Sequence, residues 1–266
     1  EMLDKVREVI HRPSGMVLVT GPTGSGKTTT LYAALNELNT MERKIITVED
    51  PVEYRLAGIN QVQVNEKIEL TFDRVLRSAL RQDPDVVLVG EMRDENTVET
   101  GLRASMTGHM VFSTLHTNDA VSTPVRLLDM GAPRYMVALS LQLVIAQRLL
   151  RVICDSCSEG YQPLPSEHEW LRSELGDQVD KHVYKHGRGC SYCNGTGFVG
   201  RTGVYEMLEM TKPVVEAANQ DDVRAFMKIA REQIGRNTLR HHAAELAASG
   251  RTSPNEAMRI SSQLEE

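Results

Sequence analysis

Eight consecutive residues constrain this chain more than any others: Gly21, Pro22, Thr23, Gly24, Ser25, Gly26, Lys27 and Thr28. They satisfy the spacing G-x-x-x-x-G-K-[ST] at every defined position. Residues 16–20 on one side read as a short buried strand. On the other, residues 29–38 read as a helix, with Leu31, Ala34, Leu35 and Leu38 at helical spacing. A glycine loop in that position can turn several backbone N–H groups toward a phosphate, and the helix start adds its positive dipole end. Lys27 then reaches the β- and γ-phosphates and the Thr28 hydroxyl ligates Mg²⁺, with Thr29 closing the nucleotide-binding stretch. The plain alternative is a flexible glycine loop without a ligand. The agreement of strand, loop, Lys-Thr pair and helix weighs against it.

The same alternation continues to about Leu150. Strand candidates cover residues 16–20, 44–49, 85–89 and 110–116, with amphipathic stretches at 72–80 and 98–106 between them. This order predicts an α/β fold, a mostly parallel sheet with helices on both faces. In such sheets ligands sit beyond the carboxyl ends of the strands. The second strand ends at Glu49, followed by Asp50 and Glu53; the third runs into Gly90 and Glu91; the fourth ends at His116. Gly90 stands where phosphate-loop enzymes commonly place a metal-binding Asp, so Glu91 is cast as the residue that orients an attacking water. A single strand-end acid is more often a helix cap or a solvated charge. His116 alone is as often structural as functional. Two acids and a histidine at three successive strand ends beside this loop reverse those odds. Arg77 and Arg81 lie four apart and share one helical face. They are a solvated basic face, or a local pair with Asp83 and Asp85, or guanidinium groups that stabilise charge on a transferring phosphoryl group.

After Leu150 the pattern changes. All four cysteines fall in two C-x-x-C pairs, Cys154 with Cys157 and Cys190 with Cys193. They read as four thiolates around a structural Zn²⁺, although the 32 residues between the pairs (158–189) exceed the commonest spacing. Disulfides or two unrelated pairs are the alternatives. The polar insert between the pairs reads as an exposed excursion, with His182 and His186 on the surface. Arg201 sits in a Gly-flanked turn, and residues 212–266 are helical in pattern with a cap at Ser253. The expected organisation is a nucleotide-binding core over 1–150, a zinc module over 151–205 and a helical subdomain over 206–266. The net charge of −6 argues against non-specific nucleic-acid binding. The best apolar run, 137–150, is broken by Gln142, Gln147 and Arg148 and is too short to span a bilayer. The chain opens at Glu1 inside a helical pattern of Leu3, Val6, Val9 and Ile10, which reads as part of a longer protein.

With these residues in view, the chain resembles the ATPase portion of the type II secretion and type IV pilus assembly ATPases. The resemblance covers nearly all 266 residues. Residues 21–28 match the family's Walker A motif. Residues 46–54 (ITVEDPVEY) look like its aspartate box, with Glu49 and Glu53 as the acidic positions. Residues 86–94 (VVLVGEMRD) look like its atypical Walker B, with Glu91 as the catalytic carboxylate and Met92 in place of the usual isoleucine. Residues 113–120 (STLHTNDA) look like its histidine box, with His116 contacting the nucleotide region. The paired cysteines match the zinc element of the extension and secretion members, which retraction members generally lack.

The resemblance implies a RecA-like P-loop fold with a tetracysteine module and a helical tail. It also implies a homo-hexamer that hydrolyses ATP with Mg²⁺ at subunit interfaces, where arginines such as Arg77, Arg81 and Arg201 belong. Family members act at the cytoplasmic face of the inner membrane, where they drive a platform membrane protein to assemble pilin or pseudopilin fibres. The family's amino-terminal half, with a smaller domain that folds over the nucleotide, lies outside this sequence. Two other classes stay open: a nucleotide-gated scaffold, which a turnover assay separates, and a zinc-containing nucleic-acid transport motor, which a salt-dependent DNA titration separates.

Overall fold

Runs of Val, Ile, Leu and Met without polar alternation become central parallel strands, buried on both faces. The computed structural model describes residues 1–265. In chain order it begins α1 (Met2–Ile10), β1 (Gly15–Thr20), α2 (Lys27–Leu38), β2 (Ile45–Glu49), β3 (Asn60–Gln63), α3 (Phe72–Leu80), β4 (Val86–Val89). It continues α4 (Glu95–Met106), β5 (Met110–Leu115), α5 (Ser122–Asp129), α6 (Arg134–Ser140), β6 (Leu141–Ile153), β7 (Ser158–Gly160), α7 (Pro165–Leu175). It ends β8 (Lys185–Gly187), β9 (Phe198–Glu209), α8 (Lys212–Ala218), α9 (Val223–Ile234), α10 (Leu239–Ala248), α11 (Pro254–Glu265). Among the described residues no helix is long and apolar enough to cross a membrane.

The chain divides into two compact units. The first comprises Glu1–Gly21, Lys27–Ile145 and Met207–Gln233; the second comprises Pro22–Gly26, Ala146–Glu206 and Ile234–Glu266. The full sheet order is β3-β2-β4-β5-β1-β6-β9. Within the first unit β3, β2, β4, β5 and β1 pair in parallel, as the sequence alternation predicts. The registers Val48↔Val89, Val89↔Ser113 and Thr20↔Leu115 bring the carboxyl ends of four strands to one edge. Every residue of β1, β2, β4 and β5 is buried.

Caps set where the flanking helices start. Thr71 accepts a hydrogen bond from the Arg74 N–H and opens α3, whose Phe72, Val75, Leu76 and Ala79 face inward. Asp94 accepts from the Thr97 N–H at 2.9 Å, which starts α4 at Glu95, three residues before the predicted stretch. The short edge strand β3 was not among the expected strands. Its sequence Asn-Gln-Val-Gln carries a single apolar residue.

In the second unit β7 and β8 pair antiparallel. The insert between the cysteine pairs departs from the expected exposed excursion. It contains α7, whose Trp170 and Leu171 are buried along with Val179 and Tyr184. Trp170 Nε1 donates to Ser261 Oγ at 2.7 Å, and Arg240 Nε pairs with Glu174 at 2.8 Å. These contacts join the insert to α10 and α11. An amphipathic helix in a polar stretch needs only a few apolar anchors, and the sequence pattern understates them. The expected cap at the start of α11 is present, with Ser253 Oγ accepting from the Glu256 N–H at 3.2 Å.

Candidate functional site

At the carboxyl edge of the first unit's sheet lies a cleft. It is lined by Thr28, Leu31, Tyr32, Glu49, Asp50, Glu53, Phe72, Gly90 and Glu91 among others. Three consequences of local sequence build it. Lys27 and Thr28 begin α2, so the helix that carries Thr28 also carries Tyr32 one turn later. The loop before it needs glycine, with φ of 80° at Gly24 and 86° at Gly26, a region that side chains rarely occupy. Within the loop's own segment Ser25 N–H donates to Pro22 O at 3.2 Å. In the same unit as that segment, Gln147 Nε2 donates to Ser25 O at 2.7 Å. Lys27 Nζ donates to Gly21 O at 2.7 Å.

Gly90 explains why no Asp stands at the end of β4. Its N–H donates to Val48 O at 2.7 Å. A Cβ there would meet Val48 O at 3.2 Å and Glu49 Cα at 3.3 Å, both backbone atoms that cannot swing aside. The first carboxylate after the strand is therefore Glu91. Its Oε1 lies 3.1 Å from His116 Nε2, and its Oε2 accepts from Arg93 Nε at 2.6 Å. Arg93 also reaches Asp50 at 3.4 Å and lies over the Phe72 ring at 5.3 Å. The Glu91 carboxylate acts foremost in holding the Arg93 guanidinium firmly charged.

Glu49 is 3% exposed and fully engaged. Its Oε1 accepts from the Tyr32 hydroxyl, and its Oε2 accepts from Thr47 Oγ1 at 2.6 Å and Gln61 Nε2 at 3.3 Å. Burial first, and then the Glu49 acceptor, pushes the Tyr32 phenol well above its ordinary value, so it stays a donor. Glu53 is exposed on the loop that follows β2.

Of the expected residues, Thr28, Glu49, Glu53 and Glu91 thus line one cleft, and His116 reaches it through Glu91. Arg77 and Arg81 do not line it. Both are exposed on or beside α3, and Arg77 pairs with Asp73 at 2.9 Å. Arg201 is exposed on β9 in the second unit. Tyr32, Gln61, Arg93 and Gln147 were missed by the sequence reading. Tyr32 alone carried a signal, since it follows Thr28 by four positions on a helix.

The cysteines form a second centre, wholly within the second unit. The four Sγ atoms lie within 4.8 Å of one another, with separations of 3.9 Å for Cys154–Cys190 and Cys157–Cys193 and 3.7 Å for Cys190–Cys193. A disulfide requires about 2.0 Å. Four sulfurs about 2.3 Å from a tetrahedral Zn²⁺ stand roughly 3.8 Å apart, so the donor set and spacing fit that ion. Backbone N–H groups of Gly189, Cys190 and Gly197 point at the sulfurs, at 3.3, 3.3 and 3.2 Å. The Cys190 N–H leads in pulling the Cys193 thiol down to about 6, whereas burial pushes the Cys157 thiol up to about 12. A four-thiolate site of this kind would leave no open position for a substrate.

Comparison with known proteins agrees with this geometry. A family model described as Type II/IV secretion system protein matches residues 1–259. The chain is 43% identical over 262 residues to the type II secretion system ATPase E of Vibrio cholerae, covering 98% of this chain and 51% of that protein. It is 44% identical over 255 residues to the type IV pilus assembly ATPase PilB of Myxococcus xanthus, covering 95% and 44%. The chain spans about half the length of the curated relatives it matches. Among solved structures, the pilus retraction motor PilT with bound ADP superposes with a TM-score of 0.70 at 33% identity, covering 97% of this chain and 64% of that one.

Proposed function

The chain belongs to the Type II/IV secretion system protein family, and from that premise we propose that it is the ATP-hydrolysing portion of a motor that assembles a type IV pilus or a type II secretion pseudopilus. The observation that carries this reading is the cleft in which Thr28, Glu49 and Glu91 meet at the carboxyl edge of a parallel sheet. Residues 21–29 hold the triphosphate through backbone N–H groups, and Lys27 neutralises the β- and γ-phosphates. Thr28 would hold Mg²⁺ through its hydroxyl, and the ion would supply neutralisation of charge developing on the phosphates. Glu91 orients the attacking water; His116 and Arg93 fix the direction of its carboxylate. Glu49 and Glu53 supply the acidic wall opposite.

In this reading the working form is a homo-hexamer, and Arg77, Arg81 and Arg201 serve neighbouring subunits. Their exposure supports that role. The tetracysteine centre holds Zn²⁺ and favours assembly over retraction. The motor works at the cytoplasmic face of the inner membrane through a membrane platform protein and takes no nucleic acid. A core over 1–150, a zinc module over 151–205 and a helical part over 206–266 divide these tasks. The test is phosphate release from Mg-ATP by the full-length protein. Steady turnover that Lys27→Ala abolishes through lost nucleotide binding is the expected result. Tight nucleotide binding without turnover would favour a nucleotide-gated scaffold instead.

A further inference from the structure

Tyr32 has no part in the phosphate chemistry just described, yet its hydroxyl makes three hydrogen bonds beside the cleft. It donates to Glu49 Oε1 and accepts from the Glu53 N–H at 3.3 Å and from Gln61 Nε2 at 3.4 Å. Its ring is 0% exposed and meets Tyr54 edge-on, with centroids 4.8 Å apart and planes at 83°. Gln61 extends the node. Its Nε2 also donates to Tyr54 O at 3.0 Å, and its Oε1 accepts from the Leu56 N–H at 2.7 Å. One phenol therefore ties α2, the helix that opens with Lys27 and Thr28, to the end of β2, to the loop carrying Glu53 and Tyr54, and to β3.

We propose that Tyr32 is a positioning residue for nucleotide hydrolysis, coupling the phosphate-side helix to the acidic loop after β2. The inference rests on the ATPase reading above and adds a residue to it. A full turn of helix separates Thr28 from Tyr32, so any shift at the Thr28 end of α2 displaces the Tyr32 hydroxyl by a comparable amount. Glu49 follows, because its Oε1 is held by that hydroxyl, and Glu53 follows through its N–H. The side chain that senses the phosphate end of α2 and the carboxylates that face the phosphate are thus one hydrogen-bonded unit. Without the hydroxyl, Glu49 keeps only Thr47 and Gln61 on its other oxygen and can rotate away. Misplacement of about 1 Å in a catalytic array costs on the order of 10²-fold in rate.

The test is Tyr32→Phe in the full-length protein, alone and combined with Glu49→Gln, with wild type and Glu49→Gln in the same series. Thermal melting reports the fold, nucleotide titration reports binding, and phosphate release reports kcat and KM separately. The expected result is a folded Tyr32→Phe protein with nearly unchanged KM and at least a tenfold lower kcat. In the Glu49→Gln background the same change should have little further effect, because the residue it acts through is already gone. If Tyr32→Phe does not fold, Gln61→Leu is read in the same assays with the same expected loss of kcat. Unchanged kcat in a folded variant, or an undiminished effect in the Glu49→Gln background, would overturn the inference. Absent turnover in the wild type would instead overturn the ATPase reading, and this inference with it.

Discussion

His116 Nε2 stands 3.1 Å from Oε1 of Glu91, while Arg93 Nε takes the other carboxylate oxygen, Oε2. The two residues extend from neighbouring parallel strands, β5 and β4, whose register sets their separation. Two further hydrogen bonds hold that register past the end of β4, since Thr114 Oγ1 donates to Gly90 O at 2.6 Å and the Met92 N–H to Thr114 O at 3.1 Å. Removing the imidazole frees one carboxylate oxygen without disturbing the loop at 21–28. His116→Ala should therefore retain nucleotide affinity and lose turnover, by about 10²-fold if the carboxylate drifts by about 1 Å. Parallel measurements of nucleotide binding and phosphate release check it; loss of binding with intact kcat would contradict it.

Metal analysis is the direct check on the tetracysteine centre. Protein purified without chelator should carry one zinc per chain. Structural Zn²⁺ sites contribute an apparent binding energy of about 10–16 kcal/mol that is coupled to folding. Cys154→Ser or Cys190→Ser should consequently destabilise the segment that holds α7, β7 and β8, seen as faster amide exchange there. A metal-free, equally stable wild-type protein would contradict a structural site.

A buried carboxylate makes the second unit sensitive to acid. Glu256, 1% exposed, accepts from Arg151 Nη2 at 2.8 Å, the Arg151 N–H at 3.0 Å and Arg259 at 2.9 Å. Burial by itself raises its pKa, but the arginines and the N–H outweigh burial and hold the carboxyl below the ordinary range. A depressed folded-state value means that the stabilisation is complete above the unfolded carboxyl value of about 4.3 and is lost as pH falls through the lower folded value. Because both guanidinium groups are half exposed and screened, Glu256→Gln should cost only about 2 kcal/mol at pH 7. Urea unfolding should show the gap between wild type and variant closing below about pH 4.

The sheet was legible because its central strands are unbroken apolar runs between helix signals, and the glycine turn that leads into α2 because its spacing admits few alternatives. Glu49, Glu91 and His116 could be read from their places at strand ends. The residues that hold them could not. Arg93 looks like one more surface charge until Glu91, Asp50 and Phe72 are seen around it. Gln61 lies on an edge strand with too little apolar character to register as one. Gln147 reads as an interruption of an apolar run, whereas in the fold its amide secures Ser25. Side-chain partners distant in sequence leave no periodic trace, and tertiary pairing alone discloses them. The insert at 158–189 was misjudged for a related reason: Trp170 and Leu171 suffice to seat a helix whose other positions are polar.

Glu91 is the residue on which the ATPase assignment turns, and Glu91→Gln in the full-length protein tests it most directly. The substitution keeps the shape of the side chain and removes its charge and its capacity to take a proton. Binding of Mg-ATP and steady-state phosphate release should be measured on the same preparation. The expected result is nucleotide affinity close to wild type with turnover lower by about 10²-fold or more. Wild-type turnover in the folded Glu91→Gln protein would contradict the assignment.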